Sequence, residues 1–163
     1  MVKKEDNNNL ISNLDNETLL NQLEHLIQLY KEKKPSLQID ISIFSDNNMG
    51  ILESLVKYLK ENLKLQYSKI ANLLNRDDRT IWNSYRNAVK KHPKKFEYFA
   101  GKYFVPLSLF ADRKFGPLQG LVIYCKENLQ INFHEISSLL GRDYQTVWLS
   151  YQNGIKKRGR INV

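Results

Sequence analysis

The hydrophobic pattern of this chain occurs twice. Apolar residues recur at helical intervals through residues 44–91 and again through residues 110–157, and the two stretches align at a constant offset without a gap. Identical residues fall throughout the alignment, among them Trp82 opposite Trp148. A period of this length exceeds that of the usual solenoid repeats. The pattern therefore predicts two copies of a small helical domain.

Each copy is predicted to contain three helices, because its apolar residues follow the helical period between turn signals. Pro117 fits the first turn of a helix, where a missing N–H costs nothing. The predicted helices span residues 51–63, 67–74 and 78–91 in the first copy, and residues 117–129, 133–140 and 144–157 in the second.

A short alternating segment precedes each copy. Apolar residues occupy every second position of residues 37–43 and of residues 105–109, which predicts extended strands. Pro106 restricts the second strand to a sheet edge or a merely extended arm. If the two arms pair, they would relate the copies by a pseudo-two-fold axis.

The polar, Asn-rich residues 1–13 are predicted to be disordered, and residues 14–34 to form an amphipathic helix. Leu20, Leu23, Ile27 and Tyr30 have coiled-coil spacing for about two heptads, which is short of the length that would argue for a coiled coil. This face would either pack on the repeats of its own chain or form a homodimer.

The expected fold is mainly α, with two tandem three-helix domains. The first repeat covers residues 37–92, a basic and aromatic linker covers residues 93–104, and the second repeat covers residues 105–163 with a basic tail.

Composition points to a polyanionic partner. The chain has 163 residues, of which 42% are hydrophobic, and its 25 basic and 17 acidic side chains give a formal net charge of +8. Nucleic acid is the first partner that such a balance favours, ahead of an anionic membrane surface. No apolar run has the length of a membrane span or signal peptide, so we expect a cytoplasmic, nucleoid-associated protein without a membrane partner.

One motif recurs in both copies and carries the functional prediction. A short helix ends at Asn75 or Gly141, residues that readily adopt positive φ, and a capping aspartate, Asp77 or Asp143, opens a second helix. We expect an apolar residue four positions after each cap to lock the second helix against the first. That combination is typical of a helix-turn-helix, whose second helix enters the major groove of DNA.

The motif resembles the helix-turn-helix of region four of bacterial sigma factors and of related response-regulator and transposase-type domains. The resemblance rests on Ile70-Ala71, Leu73-Leu74 and Thr80-Ile81, and on their counterparts in the second copy. It implies a DNA-binding module, but not promoter recognition. Trp82 and Trp148 depart from it, since those families usually have a polar or basic residue there.

The predicted contacts lie on the outer face and at the end of each recognition helix. Arg79 suits guanine, Asn83 or Gln145 suits adenine, and the later basic residues suit phosphates. For Arg76 and Arg142, contact with phosphate and pairing with a neighbouring acid both stay open. We expect the two tryptophans to pack in the core or between copies. The full predicted set is Arg76, Arg79, Thr80, Asn83, Arg86, Asn87, Lys90, Lys91, Arg142, Tyr144, Gln145, Thr146, Gln152, Asn153, Lys156, Lys157, Arg158 and Arg160.

Nothing in the sequence predicts catalysis. The three histidines lack partners at metal-ligand spacing, and Cys125, opposite Leu59, suits a buried apolar position. Glu61 and Glu127 are shared, but we expect them on an exposed face. We therefore expect no enzyme activity, no cofactor, no metal and no small-molecule ligand.

The favoured function is that of a sequence-specific protein for double-stranded DNA, and so of a transcriptional regulator, with two recognition helices in successive major grooves. Three alternatives stay open: a non-specific nucleoid protein, a protein–protein adaptor, and an RNA-binding protein that uses the linker aromatics. An exposed apolar patch over Trp82 and Trp148 would favour the adaptor.

Overall fold

The computed structural model describes residues 16–32, 36–97 and 101–161, and in these ranges it is mainly helical with one small antiparallel sheet. The chain divides into two compact units, residues 1–35 and residues 36–163. The helices are α1 (Asn16–Glu32), α2 (Ile51–Glu61), α3 (Tyr67–Leu74), α4 (Asp78–Lys91), α5 (Pro117–Glu127), α6 (Phe133–Leu140) and α7 (Tyr144–Ile161). The strands are β1 (Gln38–Asp40) and β2 (Phe104–Pro106).

The predicted helices are confirmed with small changes at their ends. Helices α2 and α5 stop before the predicted leucines, because Asn62 and Asn128 cap them and the chain then turns through Lys64 and Gln130 at positive φ. Helix α7 runs on to Ile161, past the predicted end. The alternating arms are strands only in part, since Ile41–Phe44 and Leu107–Phe110 form 3₁₀ helices directly after the strands.

The sheet has the symmetry of a two-fold axis. Ile39 pairs with Val105, its own counterpart in the second repeat. The two-fold axis that relates these residues also interchanges the two flanking residue pairs. The backbone N–H of Ile41 donates to the carbonyl of Tyr103 at 3.1 Å, and that of Leu107 donates to Leu37 at 2.7 Å. The predicted pairing of the two arms is therefore confirmed.

The two repeats share one hydrophobic core. Phe44 and Phe110, which are equivalent residues, pack with ring centroids 5.5 Å apart. The repeats also interlock: α6 of the second packs on the 3₁₀ helix of the first, and α3 of the first packs on that of the second. This shared core holds α4 and α7 in one compact unit.

Helix α1 belongs to the other unit. Its apolar side chains, including Leu20 with 59% exposure, Leu23 and Ile27, face solvent. The side chain of Tyr30 and the predicted disorder of residues 1–13 lie outside the described residues. Both expectations for this face, packing on the repeats and a homodimer, stay predictions.

Candidate nucleic-acid interface

The turn between α3 and α4 has the predicted local geometry. Asn75 ends α3 with φ 50° and ψ 51°, in the left-handed region. Asp77 caps α4: one carboxylate oxygen accepts from the Thr80 backbone N–H at 2.8 Å, and the other from the Thr80 hydroxyl at 2.7 Å. These bonds hold the pKa of Asp77 below its usual value, with the Thr80 hydroxyl as the first cause.

The turn between α6 and α7 repeats this geometry. Gly141 has φ 58°, and Asp143 accepts from the Thr146 N–H at 2.8 Å and from its hydroxyl at 2.6 Å. Both predicted caps and both positive-φ positions are confirmed. The apolar residues four positions after the caps, Ile81 and Val147, are fully buried, as predicted.

The outer face of α4 carries a row of polar and basic side chains. Arg79, Asn83, Arg86 and Lys90 are all exposed and follow one another at intervals of four, three and four, which places them on one side of a helix. Ser84 is buried, because it lies on the opposite side of α4, which packs against α2. The α4 row is therefore available to a partner along its whole length.

The two shared tryptophans lie at the edge of these outer faces. Trp82 is 46% exposed and Trp148 is 40% exposed, so the prediction of core or inter-copy packing is wrong for both. The guanidinium carbon of Arg86 lies 5.4 Å from the centroid of the Trp82 ring. The exposure of the tryptophans could have been predicted from the sequence. Each tryptophan lies three positions after an exposed residue, Arg79 or Gln145, and is therefore its neighbour on the helix surface.

The outer face of α7 is less polar than that of α4. Gln145, Leu149, Gln152 and Lys156 stand at the positions equivalent to the α4 row, and Leu149 is 42% exposed. Tyr144 opens the helix, with its ring 4.6 Å from the ring of His134. This face therefore has amide groups where α4 has guanidinium groups, and an aliphatic group where α4 has the amide of Asn83.

Arg142 lies at the junction between the repeats. Its guanidinium donates to the carbonyls of Asp46, at 3.3 Å, and Met49, at 2.5 Å, both in the first repeat. The equivalent Arg76 has a buried Nε without a hydrogen-bond partner in the described structure. Burial, and then the nearby Arg113, lower the pKa of Arg76.

Three other predicted phosphate contacts are engaged within the chain. Lys91 binds the Glu53 carboxylate at 2.8 Å, and the equivalent Lys157 donates to the Gln119 amide oxygen at 2.9 Å. Arg158 forms two hydrogen bonds to Glu127, at 2.8 and 2.6 Å, which raise the pKa of Arg158 and are the first cause of a lowered pKa of Glu127. These bonds tie the ends of α4 and α7 to α2 and α5.

The predicted set is otherwise spread over both helices. Thr80 and Thr146 are half-buried with their hydroxyls in the caps, and Gln152 is half-buried. The side chain of Arg160 lies outside the described residues. The members that are exposed without an ion pair in the described part of the chain are Arg79, Asn83, Arg86, Asn87, Lys90, Tyr144, Gln145, Asn153 and Lys156.

Glu61 and Glu127 are not on an exposed face, contrary to our expectation. Both are half-buried, and each accepts a hydrogen bond from a tyrosine hydroxyl, Tyr85 or Tyr151, at 3.1 Å. Cys125 is buried as predicted, and burial raises its pKa to about 12.

No described helix has the length and apolar character that crossing a membrane requires. In residues 16–32, 36–97 and 101–161, no cluster of three or more histidine, cysteine or acidic side chains could hold a metal ion. Comparisons with protein-family models, with curated proteins and with solved structures found no match to this chain.

Proposed function

We propose that the protein binds double-stranded DNA sequence-specifically and regulates transcription in the cytoplasm, at the nucleoid. In this proposal α3–α4 and α6–α7 are two helix-turn-helix units, and α4 and α7 enter successive major grooves. The observation that carries the proposal is the exposed row of Arg79, Asn83, Arg86 and Lys90 along α4. A chain with a net charge of +8 supports a polyanionic partner.

Each residue of the α4 row has a distinct proposed role. Arg79 lies in the first turn, where its fork of N–H groups suits O6 and N7 of guanine. The amide of Asn83, one turn later, suits N6 and N7 of adenine. Arg86 and Lys90 lie farther along the helix, where phosphate contacts would fix the register without reading bases.

The α7 face would read different bases. Gln145 stands where α4 has Arg79, and its amide suits adenine. Leu149 offers an exposed apolar side chain that suits the methyl group of thymine. Lys156 is the exposed cation for phosphate. We infer two unlike half-sites, one with guanine and one rich in A·T pairs.

The proposal leaves out four of the basic residues predicted from the sequence. Arg142, Lys91, Lys157 and Arg158 each have a partner within the chain. Recruiting them to phosphate would break bonds that hold the repeats and the helix ends in place. Their replacement is expected to change stability more than DNA affinity.

Selection of binding sites from random duplexes by the purified full chain, at two salt concentrations, tests the proposal. We expect an enriched motif with two unlike halves and an affinity that falls steeply with salt. Arg79→Ala should relax base preference in one half, whereas Lys90→Ala should weaken binding to all sequences alike. Lys95→Ala, in the linker, is the matched control and should change neither.

The outcomes separate the alternatives. A steep salt dependence without an enriched motif would replace the regulator by a non-specific nucleoid protein. If Arg79→Ala weakened binding to random and selected duplexes equally, the assigned base contact would be wrong. Absence of duplex binding at low salt would reject DNA as the partner.

A protein–protein adaptor is the second candidate. The observation that favours it is the exposure of Tyr144, Trp148 and Leu149 together on α7. Under this alternative, Trp148→Ala and Leu149→Ala would leave DNA affinity unchanged, whereas a DNA-binding α7 requires at least Leu149→Ala to relax preference in the A·T half.

A further inference from the structure

An open groove lies in the second repeat, away from the outer faces of α4 and α7. It runs between the 3₁₀ helix Leu107–Phe110 and α5, and encloses about 310 Å³. Its floor and walls are mainly apolar, and Asp112 and Asn128 add polar groups to its lining. The apolar lining includes Leu109, Phe115, Gly120 and Ile123.

In the first repeat the linker crosses the equivalent groove and leaves an opening on either side of the crossing. After α4 the linker turns back, and the carbonyl of Phe96 accepts from the Asn62 side-chain amide at 3.1 Å. The ring of Phe96 lies 5.8 Å from the Lys57 ammonium and stacks on the His92 ring at 5.5 Å. His92 in turn lies 3.3 Å from the Asp46 carboxylate. A peptide segment thus already occupies this type of groove once in the molecule.

Two adjacent sequence differences explain why the chain, over the residues that the structure describes, crosses only the groove of the first repeat. His92 and Pro93 follow α4, and a proline restricts the residue before it to extended backbone, so the helix ends and the linker turns over the groove. Arg158 and Gly159 stand at these positions in the second repeat, and α7 continues through them to Ile161.

The groove of the second repeat keeps the groups that hold the linker in the first. Asn128 is the counterpart of Asn62, and Asp112 is the counterpart of Asp46. Two replacements make the floor more apolar and roomier: Ile123 replaces Lys57, and Gly120 replaces Ser54. A Cβ added to Gly120 would meet Leu109 only at ordinary contact distance, 3.8 Å.

We propose that this groove binds an extended segment of a partner protein that carries an aromatic side chain. The ring would lie over Ile123 and Gly120, as the Phe96 ring lies over Lys57. The backbone carbonyl of the aromatic residue would accept from the Asn128 amide. The linker of the first repeat docks at an effective concentration of about millimolar or higher, so a free segment of six residues should bind weakly.

The test uses the full-length protein labelled with ¹⁵N and a synthetic peptide with the sequence of residues 92–97, capped at both ends. Titration to millimolar peptide should shift the backbone amide signals of Gly120, Ile123 and Asn128. The signals of the equivalent groove should not move, because its own linker occupies it. The same peptide with alanine in place of phenylalanine should produce no saturable shift.

A matched pair of variants ties binding to the groove. Asn128→Ala removes the proposed amide donor at an exposed position and should weaken peptide binding at least fivefold. Gln130→Ala, two residues later and also exposed, should leave binding unchanged. Unchanged amide spectra away from the substitution would show that both variants fold.

Four results would overturn the proposal. They are no saturable shift at millimolar peptide, equal shifts with the alanine peptide, equal affinity for the Asn128→Ala variant, and shifts of the groove signals with protein concentration alone. The last would mean that a second copy of this chain is the occupant. If the peptide gives no saturable shift, a titration with toluene follows. Saturable shifts of the same groove signals with toluene would assign the groove to small apolar molecules.

Discussion

The same glutamate has a different cation in each repeat. Glu61 binds Lys57 at 2.6 Å, and that lysine is fully buried within α2. Glu127 binds Arg158, near the end of α7, and both side chains are partly exposed. The tyrosine that donates to each carboxylate is unchanged. The two repeats therefore share the glutamate and differ in the position of its basic partner. In the first repeat the partner lies on the buried face of α2, and in the second it lies near the end of α7.

The largest contrast between the repeats should follow removal of these two charges. Glu61→Gln leaves the buried Lys57 ammonium without its ion partner, and because Glu61 itself is half-buried we expect a loss of about 3 kcal/mol, the lower end of the cost of breaking a buried pair. Glu127→Gln affects a partly exposed pair, for which the loss is expected to be about 1 kcal/mol or less. Urea denaturation of both variants measures the difference, and equal losses would contradict the distinction.

The junction between the repeats also departs from two-fold symmetry. A Cβ added to Gly141 would lie 2.1 Å from the carbonyl oxygen of Ser45, whereas the equivalent Asn75 already carries one. Arg142, next to Gly141, donates to two carbonyls of the first repeat, and in the described part of the chain Arg76 makes no matching bonds. One of the two junctions is therefore closer than the other.

Exchange of the two turn residues tests this asymmetry. Gly141→Asn should lower the free energy of unfolding by about 2–3 kcal/mol, because its Cβ must displace the backbone of Ser45. Asparagine tolerates the positive φ, so the loss would report the contact and not the turn. The reciprocal Asn75→Gly should change stability by less than about 1 kcal/mol. Thermal unfolding monitored by circular dichroism would give both values, and a neutral Gly141→Asn would refute the close contact.

Much of this fold could be predicted from the sequence, because local signals set it. The caps at Asp77 and Asp143, the turn residues Asn75 and Gly141, and the pairing of the arms are all confirmed. The caps and the turn residues depend on a few neighbouring residues and occur in both repeats, whereas the pairing of the arms joins two segments that are far apart in sequence. The path of the linker after α4 was harder to predict, although Pro93 indicated that the helix would end there.

The candidate interface was predicted less well, since it depends on contacts between residues far apart in sequence. The carbonyls that hold Arg142 and the partners of Lys91 and Arg158 become neighbours only after the repeats interlock and the helices pack. The 3₁₀ helices that follow the strands are only four residues long, and over that length their apolar residues alternate as they do in a strand. The sequence pattern therefore did not distinguish the two structures. For the tryptophans, we predicted burial from their size and apolarity and gave too little weight to their helical spacing from exposed residues, which is compatible with the edge of the outer face.

Exchange of the first base-reading residues would sharpen the functional comparison. Arg79→Gln should give the first half-site the preference of the second, and Gln145→Arg should do the reverse, because one bidentate contact distinguishes bases by about 1–3 kcal/mol. We expect roughly tenfold changes in relative affinity between guanine and adenine at one position of each half-site. Competition binding with duplexes that differ at that position measures this, and unchanged preferences in both variants would refute the assignment.

The smallest expected effect is a difference in acid sensitivity. Because Arg158 donates to Glu127 in the folded state, the pKa of this carboxyl lies below its value in the unfolded chain, about 4.3. A carboxyl with a depressed pKa contributes stability that is fully present above the unfolded pKa and is lost as pH falls through the folded pKa.

Arg158→Ala removes the main cause of the depression, so the variant should be less stable than the parent at neutral pH by about 1 kcal/mol or less. The gap between the two should narrow as pH falls from about 5 toward 3, because protonation of Glu127 removes the same interaction from the parent. Free energies of unfolding measured at several pH values would show this convergence, and a gap that stayed constant down to the lowest pH would mean that Arg158 stabilises the protein by packing and not by its charge.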